Sequence, residues 1–191
     1  MKKIIIGVLV LCFIGLGFFF IKQGDFNLFT SVINMNAKTA TLKTNFGDIE
    51  IELYRNKIPN LTNNFIELAS QDKYNGTIFH RVIDGFMIQG GDYENFDGTG
   101  GKSHTGKYLE DEFDKDLSNV RGTISYANKG KNTNGSQFFI NQADNVFLDN
   151  KHSVFGKVTK GMEIVDKIAK VKTDSNDAPL ERVVIKEVTL R

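Results

Sequence analysis

The chain has 191 residues, 40% of them apolar and 25% charged, which excludes an intrinsically disordered protein and leaves room for one ordinary globular domain. Lys and Arg total 24 against 23 Asp and Glu, and the net charge of +1 lacks the basic excess of a protein that binds nucleic acid. One cysteine and three histidines, without an H-E-x-x-H pattern, exclude an internal disulfide and argue against a metal site.

The N-terminal segment predicts a hydrophobic helix. Residues 4–21 carry no charge and follow Lys2 and Lys3. A helix of that length would measure about 27 Å, close to the roughly 30 Å hydrocarbon thickness of a bilayer and longer than the core of a signal peptide. We therefore expect residues 1–21 to be a signal anchor, with a cleaved signal peptide as the alternative.

The charges beside this segment predict its orientation. Lys2 and Lys3 would stay on the cytoplasmic side and direct the rest of the chain outward. The expected location is therefore extracytoplasmic, in the periplasm or at the cell surface, with residues 4–21 tethering the chain to the inner membrane if they remain uncleaved. A lysine-led export segment before a compact domain also suggests a bacterial source.

Residues 22–39 are rich in Asn and Thr and are interpreted as a linker, so the folded domain is predicted to span 40–191. The first 39 residues hold four lysines and one aspartate, so the predicted domain carries a net charge of about −2. The exported part is thus expected to be faintly acidic.

The predicted domain begins with a β-hairpin and contains two helices. Residues 48–54 alternate apolar and polar side chains, and a turn at 45–48 joins them to a β-type run at 41–44. Pro59 can open a helix whose apolar residues recur with a 3.6-residue period, and the same period follows Gly161. Many short strands with two helices are typical of a closed or nearly closed β structure. Further β-rich runs lie at 77–83, 86–89, 123–126, 137–140, 153–158 and 182–190.

Residues 90–120 form a long stretch rich in Gly, Asp and Lys, and ordered loops of this length usually carry function. Within it, 98–103 ends like a phosphate-binding loop, but Phe96 stands where that motif requires glycine. The chain also lacks the G-x-S-x-G elbow of a serine hydrolase. Nucleotide binding and serine hydrolysis are therefore not expected.

Five ordered sequence blocks lie in the predicted domain. They are FHRVIDGFMIQGGD at 79–92, GTGGKS at 98–103, EDEF at 110–113, NTNGSQFFI at 132–140 and LDNKHSVFG at 148–156. Together they resemble the cyclophilin family of peptidyl-prolyl cis-trans isomerases over nearly all of the predicted domain. The resemblance implies a mainly β fold, an eight-stranded antiparallel closed β-barrel capped by two α-helices, with the proline site on its outer face.

The resemblance also implies roles for individual residues. Arg81 would be the central catalytic residue, and an apolar pocket beside it would hold the proline ring. His80 and His152, taken singly, could instead be structural. The implied pocket residues are Phe86, Met87, Phe139 and Leu148, and the implied groove residues are His80, Gln89, Ala127, Asn128, Gln137, Phe147 and His152.

The implied partners are proline-containing segments of exported proteins, with a membrane contact only through the N-terminal helix. The reaction would need no cofactor and no metal, and we expect a monomer. Phe147 stands where the family often has a Trp whose indole N–H contacts cyclosporin A, and the chain contains no Trp. Weak or no cyclosporin binding is therefore expected.

The chemistry of the reaction explains why an arginine would suit it. The peptide bond resists rotation by about 18–20 kcal/mol because the nitrogen lone pair is delocalised into the carbonyl. A twisted amide has a localised lone pair that can accept a hydrogen bond, so a guanidinium placed there binds the transition state selectively. A thousandfold acceleration needs only about 4 kcal/mol of such stabilisation.

Two alternatives remain open from the sequence. An arginine in a strand is, on its own, more often a member of a surface ion pair, and Asp84 or Asp92 could be its partner. The groove could also belong to a module that binds proline peptides, or to a chaperone, with isomerisation incidental. A membrane-surface scaffold is not supported, because the chain shows no basic amphipathic helix.

Overall fold

The computed structural model describes residues 10–14, 17–21 and 37–191. Residues 37–191 form an eight-stranded antiparallel sheet with two α-helices, and residues 10–14 and 17–21 form a separate pair of strands. In chain order the elements are β1 (Val10–Ile14), β2 (Gly17–Ile21), β3 (Thr39–Thr44), β4 (Asp48–Leu53), α1 (Pro59–Ser70), β5 (Phe79–Ile83), β6 (Met87–Gly90), β7 (Thr123–Tyr126), β8 (Phe138–Asn141), a 3-10 turn (Val146–Leu148), β9 (Val154–Lys160), α2 (Met162–Ala169) and β10 (Ile185–Leu190).

The eight strands follow the order β10-β3-β4-β9-β7-β8-β6-β5. This confirms the prediction of a mainly β fold with eight antiparallel strands and two helices, but the sheet is curled rather than a closed barrel. Its two edges meet just before β5 and β10, where Ile78 and Val184 form a bridge and the N–H groups of Phe79 and Ile185 donate to the carbonyls of Val183 and Thr77 at 2.9 and 2.8 Å. The register shifts between Ile185 and Glu187 in β10 and between Phe79 and Arg81 in β5. Such bulges bend a strand and increase its local twist.

Both helices pack against the sheet, and both begin at the predicted residue, Pro59 or Met162. α1 buries Phe65, whose ring lies 5.1 Å from that of Tyr74 and 5.3 Å from that of Phe155. α2 buries Ile168 and contacts β4, β5 and β6. Full burial of an apolar side chain of this size contributes about 1.5–3 kcal/mol, so these contacts fix the helices on the sheet.

The N-terminus of α1 is capped by a residue far away in the sequence. Glu112, in the long loop, accepts hydrogen bonds from the backbone N–H groups of Asn60 (3.2 Å) and Leu61 (2.8 Å). The first N–H groups of a helix have no partner within it, and a carboxylate there also meets the positive end of the helix dipole. Glu112 thereby holds the long loop on the helix.

The predicted N-terminal hydrophobic helix is not found where the structure describes that segment. β1 and β2 are an antiparallel pair, with Val10 opposite Ile21. Their sequences are rich in Val, Ile and Phe, which favour strands, while Gly15 and Gly17 disfavour a helix. Among the described residues, no helix combines the length and hydropathy needed to cross a bilayer. The remainder of the predicted segment, residues 1–9 and 15–16, lies outside the described residues.

The folded domain begins slightly before the predicted boundary at residue 40. The N–H groups of Lys38 and Thr39 both donate to the carbonyl of Arg191, at 2.7 and 2.9 Å, and Ala37 is buried. Residues 37–39 of the predicted linker therefore pack on the sheet, since Lys38 and Thr39 pair with Arg191 and Ala37 is buried. The other linker residues, 22–36, lie outside the described part of the chain.

Candidate active site

Nine of the twelve residues predicted for the site line one cavity of about 250 Å³, here called the Arg81 pocket. Its walls come from β5, β6 and β8, from the chain after β7, and from the 3-10 turn and the residues that follow it. The lining residues are Arg81, Phe86, Met87, Gln89, Ala127, Asn128, Phe139, Leu148 and His152.

Strand register places three of these side chains in a row. Arg81 on β5 lies opposite Gln89 on β6, and Gln89 lies opposite Phe139 on β8. Residues paired across neighbouring strands point to the same face of a sheet, so the three side chains share one surface. These three side chains form one wall of the Arg81 pocket.

Arg81 is held at one nitrogen and available at the others. Its Nε donates to Oδ2 of Asp177 at 3.2 Å, and its side chain remains 44% exposed. Within residues 37–191, the structure gives its two terminal nitrogens no hydrogen-bond partner. The backbone of Asp177 has φ +64°, and its carbonyl accepts from the N–H of Val82 at 2.8 Å. Asp177 is therefore fixed to the strand that carries Arg81.

Neither carboxylate suggested by the sequence as a partner of Arg81 plays that part. Asp84 accepts a hydrogen bond from Nε2 of Gln142 at 3.0 Å and makes no ion pair with Arg81. Asp92 is fully buried and accepts from four backbone N–H groups in the glycine-rich loop, at 2.9 to 3.0 Å. Burial alone would raise the pKa of Asp92, but these four donors outweigh it and hold the pKa below its usual value.

A chain of amides connects this loop to the pocket. Nε2 of Gln137 donates to the carbonyls of Gly98 (2.9 Å) and Gly100 (2.7 Å), and its Oε1 accepts from Nε2 of Gln89 at 2.9 Å. Gln137 is itself nearly buried. It does not line the Arg81 pocket but orients Gln89, which does.

The structure does not bring His80 into the Arg81 pocket. Successive residues of a strand point to opposite faces, so Arg81 faces the pocket and His80 points inward, where it is 8% exposed. Its ring lies beneath Gly98, where an added Cβ would stand 2.8 Å from it. Burial lowers the pKa of His80, which favours the neutral ring.

The rim of the pocket is formed by the segment 146–152. The ring of Phe147 stacks on that of Phe86, with centroids 5.9 Å apart, and Phe147 is 60% exposed rather than part of the lining. Asp149 accepts from Oγ of Ser118 (2.6 Å) and from the N–H of Asn119 (2.7 Å), which anchors the turn carrying Leu148. Nδ1 of His152 lies 3.0 Å from the carbonyl of Tyr126, so its ring is fixed against the pocket wall.

Two further cavities adjoin the Arg81 pocket. The first, of about 160 Å³, shares Gln89, Ala127 and Asn128 with it and is otherwise lined by the glycine-rich loop, Gln137 and residues such as Tyr108 and Lys129. The second, of about 600 Å³, shares Asn128 and His152 and is here called the Phe113 cavity. Its other lining residues are Asp111, Phe113, Gly130, Lys131, Asn150 and Lys151.

Sequence reasoning missed Asp177 and the charged lining of the Phe113 cavity. Asp177 lies 96 residues from Arg81, and no pattern around it indicates a partner. The length of the loop at 90–120 was a signal for the region that contains Phe113, but nothing in the sequence showed that Lys131 and Lys151 would face it.

Comparisons with known proteins agree on one family. A family model described as cyclophilin type peptidyl-prolyl cis-trans isomerase/CLD matches residues 39–190. The chain is 47% identical over 152 residues to peptidyl-prolyl cis-trans isomerase-like 2 of Gibberella zeae, covering 79% of this chain and 26% of that protein. It is 45% identical over 153 residues to peptidyl-prolyl cis-trans isomerase-like 3 of Dictyostelium discoideum, covering 80% of this chain and 94% of that protein.

A solved structure gives the same result. The crystal structure of a Cryptosporidium parvum cyclophilin type peptidyl-prolyl cis-trans isomerase, in the presence of the dipeptide Ala-Pro, matches with a TM-score of 0.77 and 36% identity. The match covers 80% of this chain and 98% of that one. These relatives are eukaryotic and give no support to the expectation of a bacterial source.

Proposed function

The chain belongs to the cyclophilin-type peptidyl-prolyl cis-trans isomerase family, and from this premise we propose that it accelerates rotation about X-Pro bonds in polypeptides, with Arg81 as the catalytic residue. The observation that carries the proposal is the setting of Arg81: its guanidinium lines an apolar pocket, is held at Nε, and keeps its terminal N–H groups available.

The reaction depends on binding a twisted amide more tightly than a planar one. A planar proline nitrogen offers no lone pair, because the pair is delocalised into the carbonyl. As the bond twists, the lone pair becomes localised and can accept a hydrogen bond from a terminal nitrogen of Arg81. Since the guanidinium is a planar donor already held by Asp177, little reorganisation is needed when that bond forms.

The other pocket residues would hold one flank of the bond while the other turns. Phe86, Met87, Phe139 and Leu148 provide apolar surface for the proline ring. Excluding water from this surface would strengthen the contact to the guanidinium. The side-chain amide of Asn128 is already bonded to the carbonyl of Lys151 at 2.8 Å, which leaves the main-chain groups of Asn128 for the substrate backbone.

The proposed substrates are proline-containing segments of exported proteins, bound by a monomer with weak or no affinity for cyclosporin. The export of the chain is supported by the sequence of residues 1–21 alone, in which two lysines precede an uncharged run. A mass measurement on the mature chain, together with membrane fractionation, tests this part separately. Detection of the full-length chain in a soluble cytoplasmic fraction would contradict it.

The catalytic proposal is tested with Arg81→Ala in a refolding reaction limited by proline isomerisation. We expect the acceleration to fall about a hundredfold, because one transition-state donor is lost, while a proline peptide still binds. Arg182→Ala removes an exposed arginine outside the pocket and serves as the matched control. Undiminished acceleration by Arg81→Ala would favour a module that binds proline peptides without needing this residue.

A further inference from the structure

We infer that the Phe113 cavity is a second substrate site, which selects prolines flanked by an acidic residue through Lys131 and Lys151. This inference rests on the proposed function and names the substrate class for it. The predicted ligand is the side chain of a Glu or Asp that lies a few residues from the proline in the same polypeptide.

The Phe113 cavity adjoins the Arg81 pocket. Asn128 and His152 line both, so a chain that leaves the proline pocket on that side enters the second cavity. Nδ2 of Asn128 donates to the carbonyl of Lys151 at 2.8 Å, which fixes the shared wall. A substrate held at its proline therefore presents a neighbouring side chain to Phe113 and the lysines.

The lining of the groove has an excess of positive charge. Arg81, Lys129, Lys131 and Lys151 line the three adjoining cavities, whereas Asp111 is the carboxylate among the lining residues. Arg81 is paired with Asp177 outside the lining, but within residues 37–191 no carboxylate lies within 4.0 Å of the other three ammonium groups. The predicted domain as a whole is faintly acidic, so this positive charge is a local property of the groove.

Asp111 is already bonded within the fold. Its Oδ1 accepts from Nδ2 of Asn134 at 2.8 Å, and its Oδ2 accepts from the N–H of Asn132 at 3.0 Å. The N–H of Asp111 in turn donates to Oδ1 of Asn132 at 2.9 Å. The carboxylate thus holds the turn beside Lys131 and leaves the lysine charge unpaired.

Lys131 and Lys151 each lie in a turn whose backbone conformation is fixed. Lys131 precedes Asn132, and Lys151 follows Asn150; each asparagine has positive φ, at +60° and +57°. A residue other than glycine keeps this conformation where its surroundings hold it, as Asp111 does for Asn132. The N–H of Lys151 donates to the carbonyl of Leu148 at 3.1 Å. The two lysine side chains therefore start from fixed backbone positions in the cavity wall.

The chemistry of this lining fits a carboxylate on a short aliphatic stem. Phe113 is 45% exposed and offers an apolar wall for methylene groups, while the lysines offer point charges for the carboxylate. A concave site with charge of one sign also raises the local concentration of the opposite charge and repels like charge. The cavity should therefore favour Glu, tolerate Gln and reject Lys beside the proline.

The test uses proline peptides that differ at one position. Glu, Gln or Lys is placed at each of four positions on either side of the proline, and the KM of the full chain is measured for each peptide. We expect, at the best position, a KM about tenfold lower for the Glu peptide than for the Lys peptide at low salt, from two exposed charge pairs. The difference should shrink in 1 M salt, where the screening length is about 3 Å.

Reversing the charge of Lys131 and Lys151 provides the decisive comparison. The quantity compared is the ratio of the KM for the Glu peptide to the KM for the Lys peptide within each variant. In K131E/K151E the ratio should invert, and in K131Q/K151Q it should approach one. The control K170E/K186E makes the same change in net charge at two exposed lysines outside the three cavities and should keep the wild-type ratio.

Two outcomes would overturn the inference: no discrimination between Glu and Lys peptides by the wild type, or an equal loss of discrimination in the control. Both are distinct from failure of the proposed function, which is judged by whether Arg81→Ala still accelerates isomerisation of the Gln peptide. Retained activity there would reject the catalytic role of Arg81 whatever the charge preference.

Discussion

Arg81 and His80 show how adjacent residues acquire different environments. Strand alternation directs Arg81 to the pocket and His80 into the interior beneath Gly98. The motif that contains both residues predicted the location of the arginine, because pocket residues from the same short block stay together in the fold. It could not predict Asp177, since a contact made by a loop 96 residues later leaves no local pattern.

At this scale we predict that Asp177 positions Arg81 for catalysis. In Asp177→Gly the new glycine tolerates the φ of +64°, but the carboxylate that accepts from Nε of Arg81 is lost. The guanidinium of Arg81 then gains rotational freedom. We expect kcat to fall by about threefold to tenfold with KM changed less than about twofold, because orientation matters most in the transition state. Exchange NMR on a proline peptide measures both constants.

Asp177→Asn is the conservative partner of that variant. Asparagine also tolerates the left-handed conformation and keeps a side-chain oxygen for Nε, so it should restore most of kcat. Asp72→Gly makes the same substitution at another residue with positive φ, in the turn after α1, and controls for the backbone change. A wild-type kcat for Asp177→Gly would show that the ion pair does not orient the guanidinium.

At the scale of elements, the long loop at residues 90–120 is bonded to the start of α1 through Glu112. Its apolar residues show no period, so sequence reasoning found its length but not its contacts. The structure gives one residue of the EDEF block a role, because Glu112 caps the N-terminus of α1 from outside the helix. Asp92 explains part of the glycine-rich segment, since one carboxylate organises the backbone around Gly98 and Gly100.

We predict that Glu112→Ala lowers the free energy of unfolding by about 1–2 kcal/mol, because two N–H groups at the start of α1 lose their acceptor. Urea unfolding measures the change. Glu110→Ala removes an exposed glutamate of the same block and should change stability by less than about 0.5 kcal/mol. Equal effects of the two substitutions would contradict the capping role.

Asp92 gives a prediction about pH. Its pKa is lower in the folded chain than in the unfolded one, so its contribution to stability is complete above the unfolded pKa of about 3.9 and is lost as pH falls through the folded value. Asp92→Asn removes two of the acceptor sites facing the loop and should cost about 3 kcal/mol at pH 7. The cost should shrink as the pH falls through the folded pKa of Asp92, because the wild-type carboxylate then becomes protonated.

Unfolding free energies of both proteins across this pH range measure the effect. Asp72→Asn, an exposed aspartate outside the loop, should leave the pH dependence of the wild type unchanged. A cost for Asp92→Asn that stays constant from pH 7 to pH 2 would contradict the ionised role of Asp92.

At the scale of the whole molecule, the sequence predicted the types of the elements better than whether the sheet closes into a barrel. Alternation and helical periods identify the hairpin and both helices, because each depends on neighbours close in sequence. The seam at Ile78 and Val184 joins residues far apart in the sequence, and such a contact leaves no comparable pattern. The helix predicted over residues 4–21 is not found at 10–14 and 17–21, because an uncharged run of Val, Ile and Phe suits a strand as well as a membrane helix.

The pairing of β3 with β10 has a consequence for the state of the sheet while the chain is being synthesised. β3, the first strand of the eight-stranded sheet in chain order, receives one of its two neighbours from β10, the last strand of that sheet to be synthesised, so its outer edge stays unpaired until β10 has been made. An open edge of this kind can recruit a strand from another nascent chain. A chain truncated before Asp177 would, moreover, lack both β10 and the residue that holds Arg81, so full isomerase activity is expected only once both have been made.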